Sequence, residues 1–352
     1  MTGSHWNVLE GGAGKLAGES ALAALEGRYE CTMPEPNRRC ASLSYDDEDY
    51  IEDLWFTLHH REEDSDLVLG LRWYLDDSGS DDGSPLVTCG GLAMDRINFK
   101  HFSARWARMY EKYKYKFSGC VFEPPLHMKD FFGTGKYAGL RPEFKRTVFL
   151  DVADIINAHK YYSLSIAVPQ DAYARQLPEN VRSVLIGPYA LAFMSIMLGH
   201  QHVSERQAQG PTKAAYLVDC GFGHYDQLVE VHRIILGIEV GMAQEFGAPR
   251  HTGVLATDAD DDWPTLQAAD AVAWASRKKE LTGSLPEGFE PLLGVLREEG
   301  AMPLHVTIPV EFDDIKMLAD PINKWTAKYG KLPTLADVLV HRVGSFVVKL
   351  KS

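Results

Sequence analysis

The chain has 352 residues, 45% hydrophobic and 24% charged, an ordinary globular composition with enough apolar material for one large core. Its formal net charge is −13, and residues 1–66 hold most of it, with 15 acidic and 5 basic side chains, so the near-neutral remainder does not exclude a phosphate-bearing substrate. The five cysteines are scattered, odd in number and never form a CxxC pair, which argues against a disulfide scaffold and a cysteine-built zinc site.

Residues 1–66 read as an acidic N-terminal appendage. Met1 to Ser20 lacks the apolar core of a signal peptide. Gly11-Gly-Ala-Gly-Lys15 lacks both the spacing and the preceding strand of a phosphate loop. The longest apolar run, Val184 to Leu198, is too short to span a bilayer and reads as a buried helix. These features lead us to expect a cytoplasmic protein with no membrane association. The buried-thiol reading is favoured for Cys89 and Cys220, both in strand-like runs. Nothing in the chain specifies an oligomeric state.

A main domain is expected over 67–280. Leu67 to Leu75 has a strand pattern that ends in the turn residues Asp76-Asp-Ser-Gly-Ser80. Leu86 to Ala93 returns as a second strand, giving an antiparallel hairpin. From Ile97 to Phe117 the aromatic residues Phe99, Phe102, Trp106, Tyr110, Tyr113 and Phe117 recur at intervals of three and four, which predicts a helix with one aromatic, buried face. Its basic residues, Arg105 and Arg108 among them, lie mostly elsewhere and are candidates to meet a phosphate-bearing substrate. Pro124-Pro125 and a glycine-bearing loop follow, then a helix from Pro142 to His159 with proline in its first turn.

The pattern then gives a strand at Tyr161–Val168, a helix at Arg182–His202 with Pro188 near its start or at a kink, and a strand at Ala214–Asp219. Further elements are a helix at Gln227–Phe246, a strand at His251–Ala256 and a helix at Leu266–Lys279. Alternation of strand and helix after an initial hairpin indicates a mixed α/β sheet flanked by helices. Residues 281–352 read as a helical C-terminal extension, with helices at Glu311–Tyr329 and Thr334–Leu350.

Three aspartates stand where a strand ends or on the helix beyond one: Asp76, Asp219 and Asp270. Carboxylates at strand ends are fixed by a rigid sheet yet reach solvent, and such hard oxygen ligands suit Mg2+ or Mn2+. Asp76, Asp219 and Asp270 are therefore the candidate metal ligands and catalytic residues. Gln267 and Asp270 share a helical face on an otherwise small, apolar segment, which makes Gln267 a candidate substrate-binding residue. His127, in His127-Met-Lys-Asp130, is a candidate general base for an attacking water.

Tyr74-Leu-Asp-Asp-Ser-Gly79 resembles the Tyr-x-Asp-Glu-Ser-Gly opening of the domain-of-unknown-function 3800 family, and Leu266-Gln-Ala-Ala-Asp270 resembles its closing Leu-Gln-x-Ala-Asp motif. Leu217-Val-Asp219 stands where that family's internal strand carries an acid, and Glu123 and His127 resemble its glutamate and histidine region. Asp77 departs from the pattern, since glutamate is usual there. The resemblance covers residues 70–280 and implies a ribonuclease-H-like α/β fold, whose relatives cut or join phosphodiesters with two metal ions. The expected function is thus that of a metal-dependent nuclease or related phosphodiester hydrolase, with nucleic acid as partner. The alternative is a non-catalytic nucleic-acid- or protein-binding module of the same fold, for example in a bacterial defence or toxin-like system. An aspartyl-phosphate phosphatase is disfavoured, because its Asp-x-Asp motif would need aspartate in place of Ser78.

Overall fold

The computed structural model describes residues 71–79, 83–114, 122–133, 135–206, 213–221, 224–248, 250–259, 263–285, 305–309 and 312–340. The appendage expected at 1–66, Phe117 and the end of the last expected helix lie outside them.

A six-stranded sheet forms the centre, in the order β5-β4-β1-β2-β3-β6. Its strands are β1 (Leu71–Ser78), β2 (Leu86–Met94), β3 (Tyr162–Pro169), β4 (Ala214–Asp219), β5 (Thr252–Asp258) and β6 (His305–Pro309). β1, β2 and β3 form an antiparallel meander, while β4 runs parallel to β1, β5 to β4 and β6 to β3. β1 is buried from Leu71 through Asp76 on both of its faces. Such a continuous buried run marks a central strand covered by helices on both sides.

The two faces carry separate cores. Tyr74, Leu92 and Leu217 pack with α1 (Arg96–Tyr113), α2 (Met128–Phe132), α3 (Pro142–His159) and α8 (Pro264–Thr282). Trp73, Leu75, Cys89 and Val218 pack against the other layer. That layer contains α4 (Gln170–Gln176), α5 (Glu179–Leu185), α6 (Pro188–Arg206), α7 (Tyr225–Phe246), α9 (Phe312–Tyr329) and α10 (Leu335–Val340). The mixed α/β sheet flanked by helices is thus as the sequence pattern indicated. The aromatic stripe of α1 is buried from Phe99 to Tyr113, and Pro142 opens α3.

Several boundaries differ. β1 continues through Asp76 and Asp77 to Ser78, so these acids lie within the strand and not in the turn after it. The helix expected over 182–202 is two helices, with Pro188 as the first residue of α6, because proline is tolerated in a first helical turn and not inside. Between them Ile186 takes φ +67° and ψ −55°, and the Gly187 amide donates to the Leu185 carbonyl at 2.7 Å, a tight turn that costs a β-branched residue strain. Residues 281–352 are not purely helical: β6 joins the sheet beside β3, with Pro309 at its outer edge, where proline does no harm. Cys89 is buried as expected, whereas Cys220 is exposed at the end of β4. Among the described residues no single helix is long and apolar enough to cross a membrane.

Lys160, at the end of α3, is buried, and its Nζ donates to Ser163 Oγ at 3.1 Å. Burial pulls its amine down from 10.5 to about 7. Between those values the folded chain binds fewer protons than the unfolded one, so stability rises with pH across the window and the cost is complete below it. Lys160→Met is therefore expected to raise the melting temperature at about pH 6 and to lose that advantage toward about pH 10. Calorimetry at both pH values checks this; an equal gain at each would mean that charge burial is not the cause.

Candidate active site

β1, β4 and β5 run parallel, so their carboxyl ends share one edge of the sheet. The β1–β4 pairing runs to Leu75 opposite Val218, which brings Asp76 and Asp219 side by side immediately afterwards. Asp219 in turn faces Asp258 on β5. Side chains alternate along a strand, so Asp76 shares the face of Tyr74 and Asp219 that of Leu217, the side covered by α8.

α8 can lie close to this face because its contact surface is small. Ala268, Ala269, Ala271, Ala273 and Ala275 are all buried. On the sheet, Gly90 pairs with Asp76, and a Cβ there would stand 3.0 Å from the Ala273 Cα. Both ends of the helix are pinned. Asp258 Oδ2 accepts from Trp263 Nε1 at 2.7 Å, just before the first turn. Farther along, Arg277 donates to the Leu86 carbonyl at 3.2 Å and to Ser84 Oγ at 2.7 Å, tying α8 to the β1–β2 turn. Gly79 closes that turn at φ +90°, and a Cβ there would meet the Leu86 carbonyl at 2.3 Å, so only glycine fits.

Asp270 is held over this edge. Its Oδ2 accepts the Met128 amide at 2.7 Å. One turn farther along each helix, Phe132 stacks on Trp274 with ring centroids 4.4 Å apart. The pair of contacts docks α2 on α8 and places half-buried His127, the residue before α2, next to the Asp270 contact. Glu123 is exposed in the preceding loop.

Asp76 is the buried member of the group. Burial first, then the charges of Asp270, Asp77 and Asp219, push its carboxyl well above the usual carboxylate range; the hydrogen bond from the Asp77 amide opposes them. The three charges that weigh most on it are all negative. Asp76, Asp219 and Asp270 are thus brought together across nearly two hundred residues of sequence. Their oxygens nevertheless accept backbone amides: Asp76 from Asp77 at 2.7 Å, Asp219 from Gly221 at 2.9 Å and Asp270 from Met128. Among the described residues no group of three or more His, Cys, Asp and Glu side chains stands in a metal-holding arrangement.

The substrate-binding candidates lie elsewhere. Gln267 is fully buried, and its Oε1 accepts from Trp106 Nε1 at 3.2 Å, Tyr110 hydroxyl at 2.8 Å and the Leu126 amide at 3.1 Å. It ties α1 and the 122–127 loop to α8 and offers nothing to a substrate. The unmet polar group inferred on that apolar face is met by the core itself. Arg105 turns to α3 and donates to Asp154 at 2.7 Å, and Arg108 is exposed. Two further acids are not among the candidates from the sequence. Asp258 secures Trp263, and Asp77, on the opposite face, accepts the Tyr189 hydroxyl at 3.1 Å. The acidic run Asp258-Ala-Asp-Asp-Asp262 makes Asp258 look like one more turn residue, and only strand pairing distinguishes it.

No protein-family model matches the chain, and no curated protein matches it. The likeness to the domain-of-unknown-function 3800 family therefore rests on the motif residues alone. Among solved structures the chain is similar to ribonuclease H2 from Pyrococcus horikoshii OT3, at 12% identity and a TM-score of 0.31, over 78% of this chain and 96% of that one.

Proposed function

We propose that the chain is a divalent-metal-dependent phosphodiester hydrolase of ribonuclease-H-like fold, with nucleic acid as substrate. The observation that carries this reading is buried Asp76, set at the carboxyl edge of the central sheet among Asp270, Asp77 and Asp219. A buried carboxylate surrounded by like charges is costly unless a cation or proton joins it. An anionic phosphodiester could not approach such a group without a cation between them. The donors are all carboxylate oxygens, the set that Mg2+ or Mn2+ prefers. Asp76, Asp219 and Asp270 would hold the ion, each keeping oxygen lone pairs beyond the one that accepts a backbone amide. When bound, a divalent ion supplies activation of water and neutralisation of charge on the leaving oxygen. The chain's own residues align the phosphodiester along the sheet edge, and His127 takes the proton of an attacking water.

That Asp219 and Asp270 each already accept a backbone amide favours a second reading, a non-catalytic binding module of the same fold. One experiment separates the two. Single- and double-stranded DNA and RNA are incubated with the protein in Mg2+, in Mn2+ and in chelator. Cleavage that needs the metal is expected. If nothing is cut, and neither ion shifts the melting temperature of wild type more than that of Asp76→Asn, the hydrolase reading is wrong.

A further inference from the structure

On the opposite face of the same sheet edge, a second group of side chains reaches toward the site. Asp77 follows Asp76, and its Oδ2 accepts the hydroxyl of Tyr189, the second residue of α6. The Tyr189 ring stacks on His224, with centroids 4.6 Å apart and planes 27° from parallel. His224 immediately precedes α7, and its Nδ1 stands 3.4 Å from Nε2 of Gln227. Gln227 is in turn pressed on Gly187, where a Cβ would lie 2.4 Å from its Oε1. Half-buried His224 is thus tethered to the carboxylates from two sides. It comes five residues after Asp219 in the chain. It is also joined through Tyr189 to the residue beside Asp76.

We propose that His224 is the proton donor to the leaving group in the hydrolysis, with Asp77, Tyr189 and Gln227 as the positioning residues that hold it at the sheet edge. This rests on the hydrolase reading and deepens it. In-line displacement at phosphorus puts the attacking and leaving oxygens on opposite sides. His127 belongs to the α8 face of the sheet and His224 to the α6 face, so the two imidazoles flank the edge where the phosphodiester would lie. Water attacks phosphorus and gives up a proton on the His127 side. The bond from phosphorus to the leaving oxygen breaks, and its electron pair goes to that oxygen. The oxygen takes the Nε2 proton of the His224 imidazolium, which becomes neutral imidazole and regains a proton from solvent. The Gln227 amide can serve both states of the ring: Nε2 donates to a bare Nδ1, and with the amide turned over Oε1 accepts from an Nδ1–H.

The test compares two substrates in wild type, His224→Gln and Tyr189→Phe. One is the best-cut oligonucleotide, whose products give the cleavage position. The other is the same oligonucleotide with the bridging leaving oxygen replaced by sulfur, because a thiolate leaves without a proton. His224→Gln is expected to lower kcat on the oxygen substrate by roughly 10²-fold or more and to leave the sulfur substrate nearly untouched. Tyr189→Phe keeps the stacked ring but frees it from Asp77, and should show the same pattern at a smaller size. Equal losses on both substrates, or none on either, would overturn the role of His224 while the hydrolase reading stands. A wild-type protein that cuts neither substrate overturns both.

Discussion

Asp76→Asn is expected to abolish metal-dependent hydrolysis and at the same time to raise the melting temperature of the metal-free protein. The two effects share one cause. Asp76 is buried among three other aspartates, and its carboxyl is held well above the usual range. Between the ordinary value, about 4, and that raised value, the folded state binds more protons than the unfolded chain. Stability therefore falls as pH rises through that window, and the whole penalty is present only above it. Asparagine keeps the size and the acceptor for the Asp77 amide but carries no charge. Each unit by which the native value is raised corresponds to ~1.4 kcal/mol. For a domain of this size each kcal/mol is on the order of 2–4 °C in melting temperature.

The same neutralisation removes a ligand from the cation. Losing several kcal/mol of transition-state stabilisation corresponds to roughly 10³-fold or more in rate. Asp219→Asn and Asp270→Asn should lower activity similarly and stabilise less, since both are only half-buried. Melting curves with and without Mg2+ read both halves: the ion should raise wild type and leave Asp76→Asn unmoved. A variant that is less stable than wild type without metal would show that Asp76 is satisfied as it stands, and the cation argument would fail.

The sheet was readable because its strands are long apolar runs bounded by turn residues, and the helix of aromatic residues because its period is unambiguous. β6 escaped because five residues at a sheet edge carry little pattern, and their pairing with β3 lies far away in sequence. The convergence of Asp76, Asp219 and Asp270 followed from strand order, since parallel neighbours put their carboxyl ends together. What the chain could not disclose was the partner of each polar group. Gln267 and Asp270 share a helical face and look alike in sequence, yet one is sealed in the core and the other reaches the sheet edge. Tyr189 and His224 lie in segments that read only as helix and loop, and their meeting depends on how α6 and α7 pack. Nor could the chain disclose that Arg105, a candidate to meet substrate, forms a solvent-exposed ion pair with Asp154 of α3.

Gln267→Leu is the substitution expected to cost the most stability. Leucine nearly matches the volume, so no large cavity forms, and the effect isolates the hydrogen bonds. Three buried donors, Trp106 Nε1, the Tyr110 hydroxyl and the Leu126 amide, lose their acceptor together. A buried donor left unsatisfied costs about 1–3 kcal/mol. Partial relaxation and the added apolar contact offset some of this, so a net loss on the order of 3–5 kcal/mol is expected. The loss should also be directional. Leu126 precedes His127 and Met128, and the Met128 amide is the one that Asp270 accepts. Freeing the 122–127 loop from α8 should therefore speed hydrogen exchange at Leu126 and Met128 more than at amides of β1. Activity should fall through kcat, as His127 and Asp270 lose their mutual placement. A substrate-binding glutamine would behave otherwise: KM would rise, the denaturation midpoint would stay in place, and exchange at Leu126 would be unchanged. That second pattern would return Gln267 to the substrate and contradict its burial beneath Trp106 and Tyr110.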